Sequence, residues 1–185
     1  MKGVFLMDKK HIYKIVFTGV LIGISVVLSL FNPMIPLHGI PGMRITFSAY
    51  TSVIPSFLFG PVYGGIAMGI TDILSFLVKP EGTYMFHFTV TAILKGVMLG
   101  CLWWLVKKSN PNQKKYGYFK VLICLLPVNI LITTINTKLI MMLYSIDKAF
   151  IVYYIPRLIE EVINIIIQSY VVSYLLKIYQ ERINK

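Results

Sequence analysis

Acidic residues are scarce in this chain: seven Asp and Glu stand against eighteen Lys and Arg, and charged residues occupy only 14% of its 185 positions. Soluble domains carry about 25% charged and roughly 45 to 50% apolar residues, whereas 57% of this chain is hydrophobic. A soluble globular domain is thereby excluded. The sequence has no GxxxxGK[ST] phosphate loop, no HExxH and no GxSxG, so it carries neither an ATPase signature nor a common hydrolase signature. Its three histidines, His11, His38 and His87, are scattered, and its two cysteines, Cys101 and Cys124, fall in separate apolar stretches. Neither set has metal-ligand spacing, and both thiols are expected to be buried and unpaired. No metal and no cofactor are expected. No inverted repeat relates the two halves, which removes a common sign of a self-sufficient secondary transporter and makes an external energy source plausible.

The sequence does have long apolar runs. Crossing ~30 Å of hydrocarbon takes about 20 helical residues. Spans are expected at Ile12 to Phe31, Ile45 to Phe59, Pro61 to Val78, His87 to Val106, Val121 to Tyr144 and Ala149 to Ile178. The expected fold is an all-α bundle of six transmembrane helices, forming a single domain over residues 1–185. The second span is short and contains Pro55; it meets the third at Gly60-Pro61, a pair that breaks one helix and starts the next. The N-terminal stretch is basic but runs into its apolar segment without a small-residue cleavage site, and so is expected to be a retained first span.

The net charge of +11 could be mistaken for a nucleic-acid footprint. The basic residues, however, sit between the apolar runs, and no basic aromatic motif accompanies them. Lys2, Lys9, Lys10 and Lys14 flank the first span; Lys107, Lys108, Lys114, Lys115 and Lys120 lie between the fourth and fifth; Lys177, Arg182 and Lys185 end the chain. The positive-inside rule places all three segments, and both termini, in the cytoplasm. The opposite loops, NPMIPLHGIPGM, KPEGTYMF and the turn at Asp147, then face outward and suit a substrate mouth.

Ionisable residues interrupt the apolar runs: Asp72, Lys95, Lys138, Glu160 and Glu161, with Arg44 and Arg157 near span ends. Five such groups facing lipid would cost on the order of 12 to 17 kcal/mol, comparable to the stability of a whole domain. They are expected to face an interior or to reach an interface. Asn129, Thr133 and Asn136 share one face of the fifth span, and Arg157, Glu161, Asn164 and Gln168 share one face of the sixth. The two stripes suggest a shared interior, and for Asn129, Asn164 and Gln168 interhelical hydrogen bonds are the expectation weighed against it. Counting along the helices puts Asp72, Lys95, Asn136 and Glu161 roughly 9 to 18 Å below the outer ends, consistent with a cavity open outward. Lys138 lies about 200° around the helix from Asn136 and is expected to snorkel elsewhere. Glycine pairs at spacing four, Gly60 with Gly64, Gly65 with Gly69 and Gly96 with Gly100, read as internal packing; Gly19 with Gly23 stands apart in the cytoplasmic half of the first span.

The stretch MRITFSAYTSVIPSFLFGPVYGGIAMGITDILSFLVKPEGTYMFHFTVTAILKGVMLG, followed by INTKLIMMLYS and YYIPRLIEEVI, resembles the substrate-binding S components of energy-coupling factor (ECF) vitamin importers of the folate type. The R-I-x-F entry, the F-G-P turn, G-x-x-D, G-x-Y-x-F-x-F-T, N-T and R-L-I carry the resemblance by their order. It implies a six-helix subunit of a bacterial plasma membrane that binds folate or a related vitamin. Such a subunit works with a transmembrane coupling subunit and two ATPases and has no ATPase activity of its own. In that frame Arg44, with Lys79, Lys95 or Arg157, attracts an anionic tail, and Asp72 or Glu161 accepts hydrogen bonds from ring nitrogens. Tyr84, Phe86 and Phe88 supply stacking or a lid, and Thr89 and Asn136 complete the polar lining. Gly19 and Gly23 form the docking pair for the coupling subunit. Lys138 and Leu139 stand where the family often has Trp after N-T, and Glu160 where it has a basic residue, so an S component for a different vitamin is a rival. A small membrane enzyme using Asp72, Glu160, Glu161 and His87, or a purely structural subunit, are rivals of other classes.

Overall fold

The computed structural model describes residues 9–32, 34–37, 40–44, 46–80, 84–109, 117–143 and 149–183. The chain forms α1 (Lys9–Leu30), β1 (Met34–Leu37), β2 (Ile40–Arg44), α2 (Ser48–Ser52), α3 (Ile54–Phe59), α4 (Pro61–Val78), α5 (Phe86–Ser109), α6 (Tyr118–Leu143) and α7 (Phe150–Ile183). α4 begins and ends where expected. Gly60 adopts φ +94°, a conformation that strains any residue with a Cβ, and Pro61 opens the helix behind it. At the far end Lys79 leaves helical geometry at φ −134° because Pro80 follows.

Two expectations need correction. The segment between α1 and α2 is not simply a loop: β1 and β2 pair antiparallel, Met34 against Arg44 and Ile35 against Met43, with an irregularity between Ile35 and Leu37 where Pro36 has no N–H to give. The expected second span is not one helix. Proline at the second position of α3 cannot donate to the preceding turn, and the chain divides at Val53 into two pieces of five and six residues. At about 1.5 Å per residue they reach roughly 18 Å together, too short for the hydrocarbon thickness. Irregular backbone at membrane depth is tolerated only where protein covers it. These pieces meet that condition: Ser48, Tyr50, Thr51, Ser52, Val53, Ile54 and Ser56 are buried.

α2 and α3 form the axis of the bundle. α1, α4, α5, α6 and α7 stand around them, each helix packing on the next in that order, and α7 closes back onto α2 and β2. Ser25 Oγ meets Thr51 Oγ1 at 2.6 Å and ties α1 to the axis. The α4–α5 seam is held by glycines: a Cβ on Gly96 would run into the Gly64 carbonyl, and one on Gly100 into the Pro61 backbone. Gly65 and Gly69 lie against Val97 and Ile93, so these pairs do pack internally, whereas Gly60 serves the turn instead.

Polarity divides along the bundle axis. The half away from the hairpin holds an apolar core of Phe57, Leu99, Trp103, Leu125, Val172 and Leu176, with the Phe57 and Trp103 rings edge-on at 5.2 Å. A polar layer crosses the middle: Asn129 Nδ2 donates to Gln168 Oε1 at 3.3 Å, Gln168 Nε2 to the Ala49 carbonyl at 2.8 Å, and Tyr50 Oη to Asn164 Oδ1 at 3.3 Å. These are the interhelical bonds expected of Asn129, Asn164 and Gln168. Cys124 is buried as expected, but Cys101 is exposed on the outer face of α5, a surface that lipid would cover. Among the described residues four helices contain stretches long and apolar enough to cross a membrane, His11–Leu30, Pro61–Val78, Phe86–Lys108 and Tyr118–Leu143.

Candidate functional site

Away from the helix ends, several polar and ionisable side chains lie in the hairpin half. Asp72 lies six residues from the hairpin end of α4, Lys95 nine from that end of α5, Asn136 seven from that end of α6, and Arg157 and Glu161 seven and eleven from that end of α7. At ~1.5 Å per residue they occupy a zone roughly 9 to 16 Å below the rim.

Two linkages order this zone. On one side Thr89, 2% exposed at the start of α5, donates from Oγ1 to Asp72 Oδ2 at 2.6 Å. A hydroxyl has one proton, so the Tyr84 hydroxyl, 2.5 Å from the same Oγ1, donates into it. The chain Tyr84 to Thr89 to Asp72 is therefore polarised toward the carboxylate. The Tyr84 ring lies 4.9 Å from that of Phe76, holding the residue against α4. On the other side Lys95 Nζ approaches Glu161 Oε1 at 3.9 Å. One turn toward the rim, Arg157 Nη1 donates to Thr137 Oγ1 at 3.4 Å, and Thr137 in turn donates to the Thr133 carbonyl at 2.7 Å. The partner of Lys95 is thus Glu161 on α7.

The remaining candidates are distributed differently. Phe88 is half-buried, its ring 4.2 Å from that of His87. Phe86, the first residue of α5, is 70% exposed. Arg44 ends β2, with its backbone paired to Met34; its side chain lies outside the described residues, as do the His38 and Asp147 positions. Lys138 is exposed, while Asn136 is half-buried, as their separation around the helix requires. Asn136 Oδ1, His87 Nε2 and Ser75 Oγ are buried without a hydrogen-bond partner among the described residues. Polar capacity is therefore left unused on three helices of the same half. Gly19 and Gly23 lie on the exposed face of α1, with open space where their side chains would be.

Sequence reasoning overlooked Tyr50, Phe76 and Thr137. The roles of Tyr50 and Phe76 follow from tertiary contacts with Asn164 and Tyr84, which no local pattern announces. Thr137 was visible inside the N-T motif, beside Asn136.

The arrangement offers two carboxylates, two cations and unpaired amide and imidazole atoms in one half of a helical bundle, a set suited to holding a polar, partly anionic small molecule. A folate transporter, FolT, of Clostridium novyi (strain NT) is 28% identical over 133 residues, 71% of this chain and 72% of that protein. A crystal structure of FolT bound with folic acid is similar over 87% of this chain and 89% of that one, with a TM-score of 0.66 and 29% identity. The S component for biotin from an ECF-type ABC transporter shares the fold at a TM-score of 0.69 over 93% of this chain and 95% of that one, with 18% identity. Residues 13–176 match the family described as ECF transporter, substrate-specific component. The chain belongs to that family: it is a multi-pass membrane protein and the substrate-specific subunit of an ECF transporter, a transport subunit rather than an enzyme.

Proposed function

We propose that this subunit captures folate, or a closely related pterin, for import across a bacterial plasma membrane. The observation that carries the reading is the likeness, over 87% of the chain, to a structure solved with folic acid bound. The chemistry of the hairpin half supports it. Folate joins a neutral heterocycle, rich in N–H donors and ring acceptors, to a tail bearing carboxylates. Asp72, already polarised by Thr89, and Glu161 are acceptors for ring N–H groups. Arg157 and Arg44 lie nearer the rim in sequence position and meet the anionic tail. Tyr84, Phe86 and Phe88 stand around the mouth at the start of α5, where a ring can stack or a lid can form. Asn136 supplies an acceptor that the protein leaves unpaired.

The chain crosses the membrane six times in this reading, the broken α2–α3 segment serving as the second passage inside a sleeve of five helices. The basic ends of α1, α5 and α7 face the cytoplasm, and the hairpin faces outward. ATP is hydrolysed by two partner ATPases that act through a transmembrane coupling subunit, which docks on the bare α1 face at Gly19 and Gly23. Reconstitution tests the reading. Proteoliposomes holding this subunit with a coupling module are expected to accumulate radiolabelled folate only when ATP is supplied to the ATPases. Accumulation of biotin but not folate under those conditions would assign the chain to another vitamin.

A further inference from the structure

The Lys95–Glu161 pair joins two helices that are not neighbours in the bundle. Among the described residues α5 packs on α3, α4 and α6, and α7 on α2, α3, α6 and β2, but α5 and α7 share no backbone contact. The two side chains therefore reach across the interior of the sleeve, 15% and 24% exposed. Their 3.9 Å separation is an ionic contact and not a charge-assisted hydrogen bond, which closes to about 2.7 to 2.9 Å. A pair of this kind is a poor stabiliser, since the desolvation of two ions offsets most of their attraction. Among the described residues its donors and acceptors are also largely unspent: an ammonium has three protons to give and a carboxylate roughly four sites to fill.

We infer that Lys95 and Glu161 form a split ion pair into which the ligand's heterocycle inserts, Glu161 accepting from a ring N–H and an exocyclic amine while Lys95 donates to the neighbouring carbonyl. This inference rests on the folate reading and narrows it to heterocycles with a 2-amino-4-oxo edge. Such an edge presents two donors beside an acceptor, which matches a carboxylate beside an ammonium. Insertion changes no net charge, because the two ions remain together and a neutral ring lies between them. It also replaces one long ionic contact by several charge-assisted hydrogen bonds, each formed only when the right edge is present. Depth agrees with this order: the pair lies roughly 14 to 16 Å below the rim, and Arg157 one turn nearer to it, where the anionic tail follows the ring.

The test measures equilibrium binding of folate, of pterin (2-amino-4-oxo) and of lumazine (2,4-dioxo), together with melting temperature, in the unmodified protein, Lys95→Met, Glu161→Gln and the double variant. The unmodified protein is expected to prefer pterin over lumazine by about tenfold or more, because an acceptor left facing the wrong group goes unpaired. Glu161→Gln is expected to lose that preference and to bind folate at least about thirtyfold more weakly. The double variant is expected to regain the melting temperature lost in the single variants without regaining folate binding. Recovery of both properties in the double variant would make the pair a structural brace and overturn the inference, as would retention of the pterin preference in Glu161→Gln. Failure of the unmodified protein to bind folate would remove the folate reading itself, and this inference with it.

Discussion

Thr89 Oγ1 donates to Asp72 Oδ2 at 2.6 Å, so a hydroxyl on α5 fixes the direction in which a carboxylate on α4 faces the interior. Asp72→Asn keeps the shape and removes the charge. It is expected to weaken folate binding by at least about tenfold, since truncating one partner of a buried charged contact costs about 2 to 5 kcal/mol. Melting should change little, because the free protein loses a charge that was costly to bury. Thr89→Val, which leaves the carboxylate in place but unaligned, should fall between Asp72→Asn and the unmodified protein. Titration and thermal melting of the two variants check both statements; unchanged affinity in Asp72→Asn would take this residue out of the site.

The glycines of the α4–α5 seam give a stability prediction. A methyl on Gly100 would meet the Pro61 backbone and one on Gly96 the Gly64 carbonyl, neither of which can step aside like a side chain. Gly96→Ala or Gly100→Ala is expected to destabilise by about 1 to 3 kcal/mol. Gly19→Ala, facing open space, should melt like the parent. Melting curves in one detergent compare the three.

Much of this architecture could be read from residue order alone, and the exceptions share a cause. α4 was legible to the residue because Gly60-Pro61 and Lys79-Pro80 punctuate it in ways that act through local backbone geometry. The broken second segment was not, because Pro55 is compatible with a kinked helix or with two short ones, and burial against α1, α4, α5 and α7 decides between them. The hairpin was hidden by its prolines, which argue against strands when read locally. In the site, periodicity put Arg157, Glu161, Asn164 and Gln168 on one face correctly. It could not say that Glu161 meets Lys95 across the interior, since that contact depends on how two non-adjacent helices are spaced.

Gly19 and Gly23 expose α1 backbone to any helix that lies along it. Replacing both by Leu is expected to weaken copurification with the coupling subunit severalfold or more while leaving folate binding intact. Loss of folate binding with assembly preserved would instead mean that this face packs within the subunit.

The proposed orientation rests on the basic ends. In a background without Cys101 and Cys124, a cysteine placed at Lys114 should react with membrane-impermeant reagents only after the cells are opened, and one at His38 in intact cells. The reverse pattern would invert the subunit and put the polar half on the wrong side for import.

The most direct test of the central claim is equilibrium titration of the purified subunit alone with folate, biotin and other vitamins. The expected result is saturable folate binding, tighter than that of any other vitamin tried, with folate recovered chemically unchanged. Tight binding of biotin or another vitamin with none of folate, or conversion of folate to a product, would contradict it.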